Sequence, residues 1–224
     1  MDAPADLIAY GRRMAAKALV TGTAGNLSLY DAGQGLVWTT PTAMAYDAMA
    51  LADLVALDPR TGERVHGTRR PTSEMPMHLA LYRARPELRA IVHTHSLYAT
   101  MFAVANLPIA AHHYAIVDVG HEVPVVPYAR FGSEALAQNV LAGLGQARAV
   151  LLQNHGAVAV GDSLAAAFRR AETVEWLAHL AWGARLLGPV TTLSPAQLEE
   201  VVRGLEEVAA RYPDLTAAPS GADA

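Results

Sequence analysis

The chain has 224 residues, of which 52% are hydrophobic and 17% charged, and its 17 basic and 21 acidic side chains give a net charge of −4. This composition excludes intrinsic disorder, and without an excess of positive charge it disfavours a nucleic-acid-binding protein. With nine histidines and no cysteine, any metal must be held by histidine or carboxylate side chains, and the lack of thiols predicts a cytoplasmic protein.

The N-terminal half is expected to begin with a surface helix over residues 1–20, because charged side chains are spread among its apolar ones. That pattern fits neither a signal peptide nor a membrane span. Short strands follow at 26–30, 36–39 and 54–58, and a further strand near Arg64 comes after the turn Asp58-Pro-Arg-Thr-Gly62. Asp-Pro-x-x-Gly is typical of a tight turn between paired strands.

The rest of the chain alternates helical patterns with apolar runs of strand length. Helices are predicted at 74–85, 97–105, 133–144, 163–187 and 194–210, and strands at 90–94, 116–119, 123–126, 149–152 and 157–160. The longest uncharged stretch, 96–117, is interrupted by Asn106, Pro108 and two histidines, so it predicts buried core and not a membrane helix.

These elements predict one domain over residues 1–215 with an α/β (α+β) fold, in which helices cover a central, mostly antiparallel sheet. No repeat or linker divides the chain, and residues 216–224 are expected to form a disordered tail.

Three histidines form the strongest candidate for a metal site. His93 and His95 are two residues apart at the end of a predicted strand, so their side chains share one face. His155 lies in a polar, glycine-containing interruption between two apolar strands, where a turn can aim a side chain at a site. Three histidines with an open position are typical of catalytic zinc sites, although manganese, cobalt and iron also accept imidazole.

Glu74 is the candidate acid or base beside this metal. It opens a helical pattern after Thr72 and Ser73, either of which can cap the helix. On local grounds alone the pattern favours an ordinary first-turn glutamate, whereas a carboxylate near a metal can exchange a proton made acidic by that metal.

Three loops predict an anion site, and we call them the anion loops: residues 21–26, 39–42 and 72–73. Their small and hydroxyl-bearing residues can present backbone N–H groups and side-chain donors to a phosphate. No Walker or dinucleotide-binding fingerprint is present.

Taken together, the sequence resembles the class II aldolase/adducin family, most closely its L-fuculose-phosphate aldolases. The motifs that carry the resemblance occur in family order over most of the chain: GTAGN (22–26), TPT (40–42), PTSE (71–74), VHTH (92–95), HHY (112–114), PYARFG (127–132) and LLQNHG (151–156).

The resemblance implies a role for each matching position. His93, His95 and His155 fall on the zinc ligands, and Glu74 falls on the acid/base carboxylate. Tyr114 matches a proton donor that acts across a subunit interface, and Tyr212 matches a residue of a mobile C-terminal lid. The phosphate-binding positions fall on Gly25, Asn26, Thr42, Ala43, Thr72 and Ser73.

The implied activity is cleavage of a ketose 1-phosphate to dihydroxyacetone phosphate and an aldehyde, and the reverse addition, by a cyclic homotetramer with intersubunit sites. Glu74 would exchange a proton with the carbon beside the carbonyl, and Tyr114 would handle the proton on the aldehyde oxygen. Lys17 is the only lysine and lies in the N-terminal segment, which argues against a Schiff-base aldolase. Ala43 replaces the usual glycine, so its loop must accept a Cβ or change shape.

Alternatives on the same scaffold are a sugar-acid phosphate decarboxylase, a ribulose-phosphate 4-epimerase and a methylthioribulose-phosphate dehydratase. Epimerase relatives tend to have aspartate at the position of Glu74, so the glutamate favours an aldolase over an epimerase. A non-catalytic adducin-like binding module would not need the three histidines and Glu74. His78 is interpreted more readily as a packed core histidine than as support for the metal site.

Overall fold

A computed structural model describes residues 3–212, which form one eight-stranded sheet with helices on both faces. The strands are β1 Asn26–Asp31, β2 Leu36–Thr39, β3 Val55–Leu57, β4 Arg64–His66, β5 Ala90–Thr94, β6 Val125–Val126, β7 Ala149–Leu152 and β8 Gly156–Gly161. The helices are α1 Ala3–Ala16, α2 Met75–Ala84, α3 Leu97–Ala105, α4 Glu134–Leu144, α5 Leu164–Leu187 and α6 Pro195–Arg211. Short 3₁₀ helices cover Tyr46–Ala48, Leu51–Asp53 and Tyr114–Asp118.

The strands lie in the order β4-β3-β2-β1-β5-β8-β7-β6, and every neighbouring pair is antiparallel except β6 and β7. The predicted fold class, a mostly antiparallel sheet covered by helices, is therefore confirmed. The predicted tail at 216–224 lies outside the described residues. No helix within residues 3–212 is long and apolar enough to cross a membrane.

The two faces of the sheet are covered by different helices because side chains alternate along each strand. On β5, Ala90 and Val92 join the core beneath α1, α3 and α5, whereas Ile91 joins the core beneath α2 and α4. The first of these cores also receives Leu27 of β1. Consequently Asn26 and Ser28, on either side of Leu27, and His93, two residues after Ile91, face α2.

The prediction of a strand at 116–119 is wrong, since these residues belong to the 3₁₀ helix Tyr114–Asp118 and the turn after it. A ring nitrogen of His113 accepts a hydrogen bond from the Ala115 N–H at 3.1 Å and so caps the helix. Asp118 is held by the Arg169 guanidinium, which donates to both of its carboxylate oxygens. A short apolar run cannot by itself distinguish a strand from a buried helical turn.

Two other predicted elements need smaller corrections. The strand expected at 123–126 is reduced to Val125–Val126, because Pro124 has no N–H to donate and Val123 makes only a bridge with Ile109. The N-terminal helix ends at Ala16 and is amphipathic, with Leu7 and Met14 fully buried against the sheet.

Candidate active site

Four side chains, Glu74, His93, His95 and His155, form a compact histidine–glutamate cluster where the central strand β5 ends and its neighbour β8 begins. Their ligand atoms all lie within 4.8 Å of one another, an arrangement suited to a metal ion. His93 is the penultimate residue of β5 and lies directly opposite Asn26 of β1, and His95 follows immediately after the strand. His155 lies in the turn between β7 and β8, and Asn154 takes a left-handed φ of 56° there, which reverses the chain and brings His155 back to β5.

The contacts within the histidine–glutamate cluster are short. His93 Nε2 lies 2.8 Å from Glu74 Oε2 and 3.0 Å from His95 Nε2, while His155 Nε2 lies 3.4 Å from Glu74 Oε1. His93 Nδ1 is 2.9 Å from the Ala157 carbonyl oxygen. Because a carbonyl only accepts, Nδ1 carries a proton, and Nε2 is the ring nitrogen that faces the cluster.

This donor set fits a bound cation. The facing lone pairs of two imidazoles and a carboxylate repel one another unless a proton or a metal ion lies among them. Glu74 Oε1 is buried and has no hydrogen-bond partner among the described residues, so this oxygen also has capacity for a ligand. Three imidazoles and one carboxylate match the ligand preferences of zinc and related transition metals.

The electrostatics of the cluster favour a positive charge beside Glu74: burial alone would lower the pKa of His93, but Glu74 and the Ala157 carbonyl raise it. Burial alone would raise the pKa of Glu74, but attraction to His93, its hydrogen bond, and the nearby His155 and Asn26 hold that pKa well below its ordinary value. Burial and the neighbouring His93 lower the pKa of His95 to about 3 and that of His155 to about 4. His95 and His155 are therefore neutral near pH 7, as metal ligands must be.

A cavity of about 320 Å³ opens directly onto the cluster. Glu74, His95 and His155 line it, and His93 is fully buried beneath. All six predicted phosphate-binding residues line the same cavity: Gly25, Asn26, Thr42, Ala43, Thr72 and Ser73.

The anion loops reach the cavity through two positive-φ positions. Gly25 has φ +69°, and a Cβ there would lie 2.6 Å from the His93 carbonyl oxygen, so glycine permits the close approach of this loop to β5. Ala43 has φ 55°, a left-handed conformation in spite of its Cβ. The second anion loop thus keeps the backbone shape of a glycine, and the alanine adds local strain.

Glu74 lies immediately before α2 instead of in its first turn. It is the N-terminal cap residue, and its N–H donates to Thr72 Oγ1 at 3.3 Å. The helix therefore begins one residue later than predicted. Asn26 lines the cavity, but its side-chain amide is already bonded to Glu74 and His78.

The structure does not bring the two predicted tyrosines to the cavity of their own chain. Tyr114 is 53% exposed and lines a separate surface depression beside Leu205 and Glu206 of α6. Tyr212, the last residue described, caps the end of α6 and is 50% exposed.

The sequence reasoning missed two groups of residues near the site. Tyr128 and Phe131 line the cavity and are largely exposed, and the two aromatic residues of the PYARFG motif were the available signal. His78 is fully buried as predicted, but each of its ring nitrogens is 2.6 Å from a polar side chain, Ser28 or Asn26. The spacing of Glu74, His78 and Tyr82, each one helical turn from the next, could have pointed to it.

Comparisons with known proteins show what the chain resembles. The sequence profile described as Class II Aldolase and Adducin N-terminal domain matches residues 5–182. The chain is 36% identical over 201 residues to the 5-deoxy-D-ribulose 1-phosphate aldolase of Bacillus thuringiensis serovar kurstaki, covering 90% of this chain and 94% of that protein. It is 37% identical over 186 residues to the L-fuculose phosphate aldolase of Haemophilus influenzae, covering 81% and 83%.

A solved structure supports the same relationship. The chain aligns with an L-fuculose 1-phosphate aldolase at a TM-score of 0.88 and 36% identity, covering 92% of this chain and 96% of that one.

Proposed function

We propose, because the chain belongs to the class II aldolase and adducin family, that it is a metal-dependent aldolase for a ketose 1-phosphate. It cleaves a substrate of the L-fuculose 1-phosphate type into dihydroxyacetone phosphate and an aldehyde, and it catalyses the reverse addition. The predicted family and the predicted enzyme class, a lyase, are confirmed by the aldolase relatives. The observation that carries the proposal is one cavity lined by the histidine–glutamate cluster at one side and by the anion loops at the other.

The anion loops are proposed to bind the phosphate. Thr42, Thr72 and Ser73 offer hydroxyl groups at the cavity surface. The net charge of −4 gives no global attraction for an anion, so binding depends on these local donors and on the backbone N–H groups beside them.

His93, His95 and His155 are proposed to hold the metal ion, with Glu74 close enough to be a fourth ligand. Zinc is the first candidate, and manganese, cobalt and iron remain alternatives. A divalent ion bound there would act as a Lewis acid on the substrate carbonyl. The cytoplasmic location expected from the sequence belongs to the same proposal.

Glu74 is proposed to move the proton that balances the reaction. In cleavage the bond between C3 and C4 breaks, its electron pair remains on C3, and the C4 hydroxyl loses its proton to become the aldehyde. Glu74 delivers a proton to C3, and in the synthetic direction it removes the same proton. No water is consumed, so one proton lost at oxygen is matched by one gained at carbon.

Tyr114 of a neighbouring subunit is proposed to handle the proton on the C4 oxygen in a cyclic homotetramer. Its exposure supports a role on a surface that a second copy covers. Tyr212 is proposed to belong to a lid over the same site, near the C-terminal end of the described chain.

Tyr128 and Phe131 are proposed to contact the aldehyde part of the substrate, because they are the aromatic residues of a cavity whose other lining residues are mostly small or polar. L-fuculose 1-phosphate yields a methyl-bearing aldehyde, and so does 5-deoxyribulose 1-phosphate. The second substrate is a specific candidate, because the relative that acts on 5-deoxy-D-ribulose 1-phosphate aligns with 90% of this chain.

Incubation with L-fuculose 1-phosphate, 5-deoxyribulose 1-phosphate and ribulose 1-phosphate tests the proposal, with dihydroxyacetone phosphate release as the readout. We expect release from at least one of them, loss of release in a chelator, and recovery when a divalent metal is returned. Glu63→Gln, a change at an exposed position, is the control variant and should match wild type.

Failure to release triose phosphate from any ketose phosphate would exclude the aldolase. Carbon dioxide release, epimerisation or dehydration would then identify the decarboxylase, the epimerase or the dehydratase. A protein that contains no divalent metal and is not activated by one would be the non-catalytic module.

A further inference from the structure

A buried row of polar side chains leads from Glu74 into the core between α2 and β1. Glu74, His78 and Tyr82 are spaced by four residues, so they lie one turn apart along one side of the helix. Asn26 and Ser28 alternate with buried Leu27 on β1 and face that side. Among these five residues none is more than 8% exposed, and His78 and Ser28 are fully buried.

Four hydrogen bonds connect the row end to end. The Tyr82 hydroxyl is 2.8 Å from Ser28 Oγ, and Ser28 Oγ is 2.6 Å from His78 Nδ1. On the other side of the ring, His78 Nε2 is 2.6 Å from Asn26 Oδ1, and Asn26 Nδ2 is 3.0 Å from Glu74 Oε2.

The chemistry of the groups gives these bonds one direction. A carboxylate only accepts, so Asn26 must present its NH₂ to Glu74 and its carbonyl oxygen to His78. That carbonyl oxygen requires a donor, so neutral His78 carries its proton on Nε2 and accepts at Nδ1 from the Ser28 hydroxyl. Ser28 in turn accepts from Tyr82. Each member thus fixes the orientation of the next, and all donation runs toward Glu74.

The two carboxylate oxygens of Glu74 have different contacts. Oε2 receives the Asn26 N–H and faces His93, while buried Oε1 has no hydrogen-bond partner among the described residues and faces His155 at 3.4 Å. A carboxylate held by one oxygen keeps the other in a fixed orientation beside His155, and a restrained orientation of this kind is what proton transfer requires.

We propose that His78 is a positioning residue for Glu74: it fixes the Asn26 amide, which in turn holds Glu74 Oε2 and leaves Oε1 without a hydrogen bond and available for proton transfer. The inference rests on the proposed role of Glu74 in proton transfer. Ser28 holds His78 in the Nε2–H tautomer, and Tyr82 completes the row.

A pair of amide variants at position 78 tests this role. In His78→Gln the longer side chain can place an N–H near the position of Nε2 and donate to Asn26, whereas in His78→Asn the shorter one reaches only the region of Nδ1. We expect kcat for ketose phosphate cleavage to fall about 10- to 100-fold in His78→Asn and to recover largely in His78→Gln. KM should stay within about twofold of wild type in both variants, because no phosphate contact changes.

Metal content and thermal stability separate positioning from simple structural support. Both variants should keep the wild-type metal content and should be destabilised to a similar degree, since each replaces a buried imidazole by an amide. Equal losses of kcat in the two variants, or a wild-type kcat in His78→Asn, would overturn the proposal. Ser28→Ala and Tyr82→Phe, with progressively smaller losses expected, provide further tests if a variant at position 78 does not fold.

Nuclear magnetic resonance of the zinc-loaded protein tests the hydrogen bonds of the row without a measurement of catalysis. The His78 ring should show a protonated Nε2 and an unprotonated Nδ1. The Asn26 side-chain amide signals, assigned by their loss in Asn26→Asp, should shift in His78→Asn and remain near their wild-type positions in His78→Gln. A protonated Nδ1, or Asn26 signals unmoved in His78→Asn, would refute the row. If wild type releases no triose phosphate, the proposed function fails, but these signals still show whether His78 orients the Asn26 amide.

Discussion

The histidine–glutamate cluster and the tyrosines at positions 114 and 212 are opposite extremes of burial within one proposed active site. His93 is fully buried and Glu74 is 5% exposed, whereas Tyr114 and Tyr212 are about half exposed. The cluster is complete within one chain because the start of α2, the end of β5 and the β7–β8 turn bring its members together. The tyrosines lie on surfaces that a single chain leaves open.

This difference in burial separates the parts of the site that depend on folding of one chain from those that depend on assembly of several chains. Metal binding by the cluster is expected of any folded chain, since each ligand is fixed by the sheet or by its tightest turn. A contribution from Tyr114 is expected only where a second copy brings it to the cavity. The predictions below test this division, beginning with the largest effect.

Glu74→Gln removes the proposed proton carrier and keeps its size. We expect kcat for triose phosphate release to fall about 10³-fold, within the range for loss of a general acid or base. Metal content should remain at one ion per chain, since the three histidines are intact. Wild-type kcat in Glu74→Gln would remove Glu74 from the mechanism, and Glu63→Gln serves as the charge-matched control.

Tyr114→Phe should lower kcat about 10²-fold without changing metal content. The sharper experiment co-expresses Tyr114→Phe with Glu74→Gln. A site between subunits can then take Glu74 from one chain and Tyr114 from the other, so random assembly should restore about a quarter of wild-type activity. If both residues act within one chain, the mixture will be no more active than its components.

Buried His78 should make the free energy of unfolding of the protein decrease at acidic pH. Burial lowers the pKa of His78 from 6.5 to about 3, with nearby Glu74 raising it and His93 lowering it. Below pH 6.5 the unfolded chain therefore binds a proton that the folded chain does not. The stabilisation from neutral His78 is complete above pH 6.5 and is lost as the pH falls toward 3.

Between pH 6 and pH 4.5 this loss amounts to about 2 kcal/mol in wild type, and it should be absent from the His78→Gln profile. Glu74 has a lowered pKa, so its own contribution is lost mainly below this range and is common to both proteins. Urea unfolding in chelator at several pH values measures the difference. Parallel profiles for the two proteins would show that His78 is not buried in neutral form.

Ala43→Gly should have the smallest effect of these changes, and it should stabilise the protein. Ala43 has a left-handed φ of 55°, so removing its Cβ relieves strain and should raise the free energy of unfolding by about 1 kcal/mol. Ala45, two residues along in the same exposed loop, has φ −68°, and Ala45→Gly should instead lower stability. Identical shifts in the two melting temperatures would contradict the strained backbone at Ala43.

The sequence was sufficient to predict most of the sheet and the membership of the cluster. Local patterns sufficed at β7 and β8 because those strands contain only apolar residues and glycine, and the shared face of His93 and His95 follows directly from strand geometry. It was insufficient at Tyr114–Asp118, where capping by His113 and the ion pair of Asp118 with Arg169 decide the structure. It also missed the row from Tyr82 to Glu74, because the partners of His78 are about 50 residues away along the chain.

Metal reconstitution tests whether the histidine–glutamate cluster supports a metal-dependent aldolase. The protein is stripped with a chelator, zinc is returned stepwise, and dihydroxyacetone phosphate release from the ketose 1-phosphates is measured at each step. We expect release that rises in proportion to bound metal and saturates at one ion per chain, with no saturation at that ratio in His155→Ala. Release that is undiminished in the stripped protein, or absent from the fully loaded one, would contradict it.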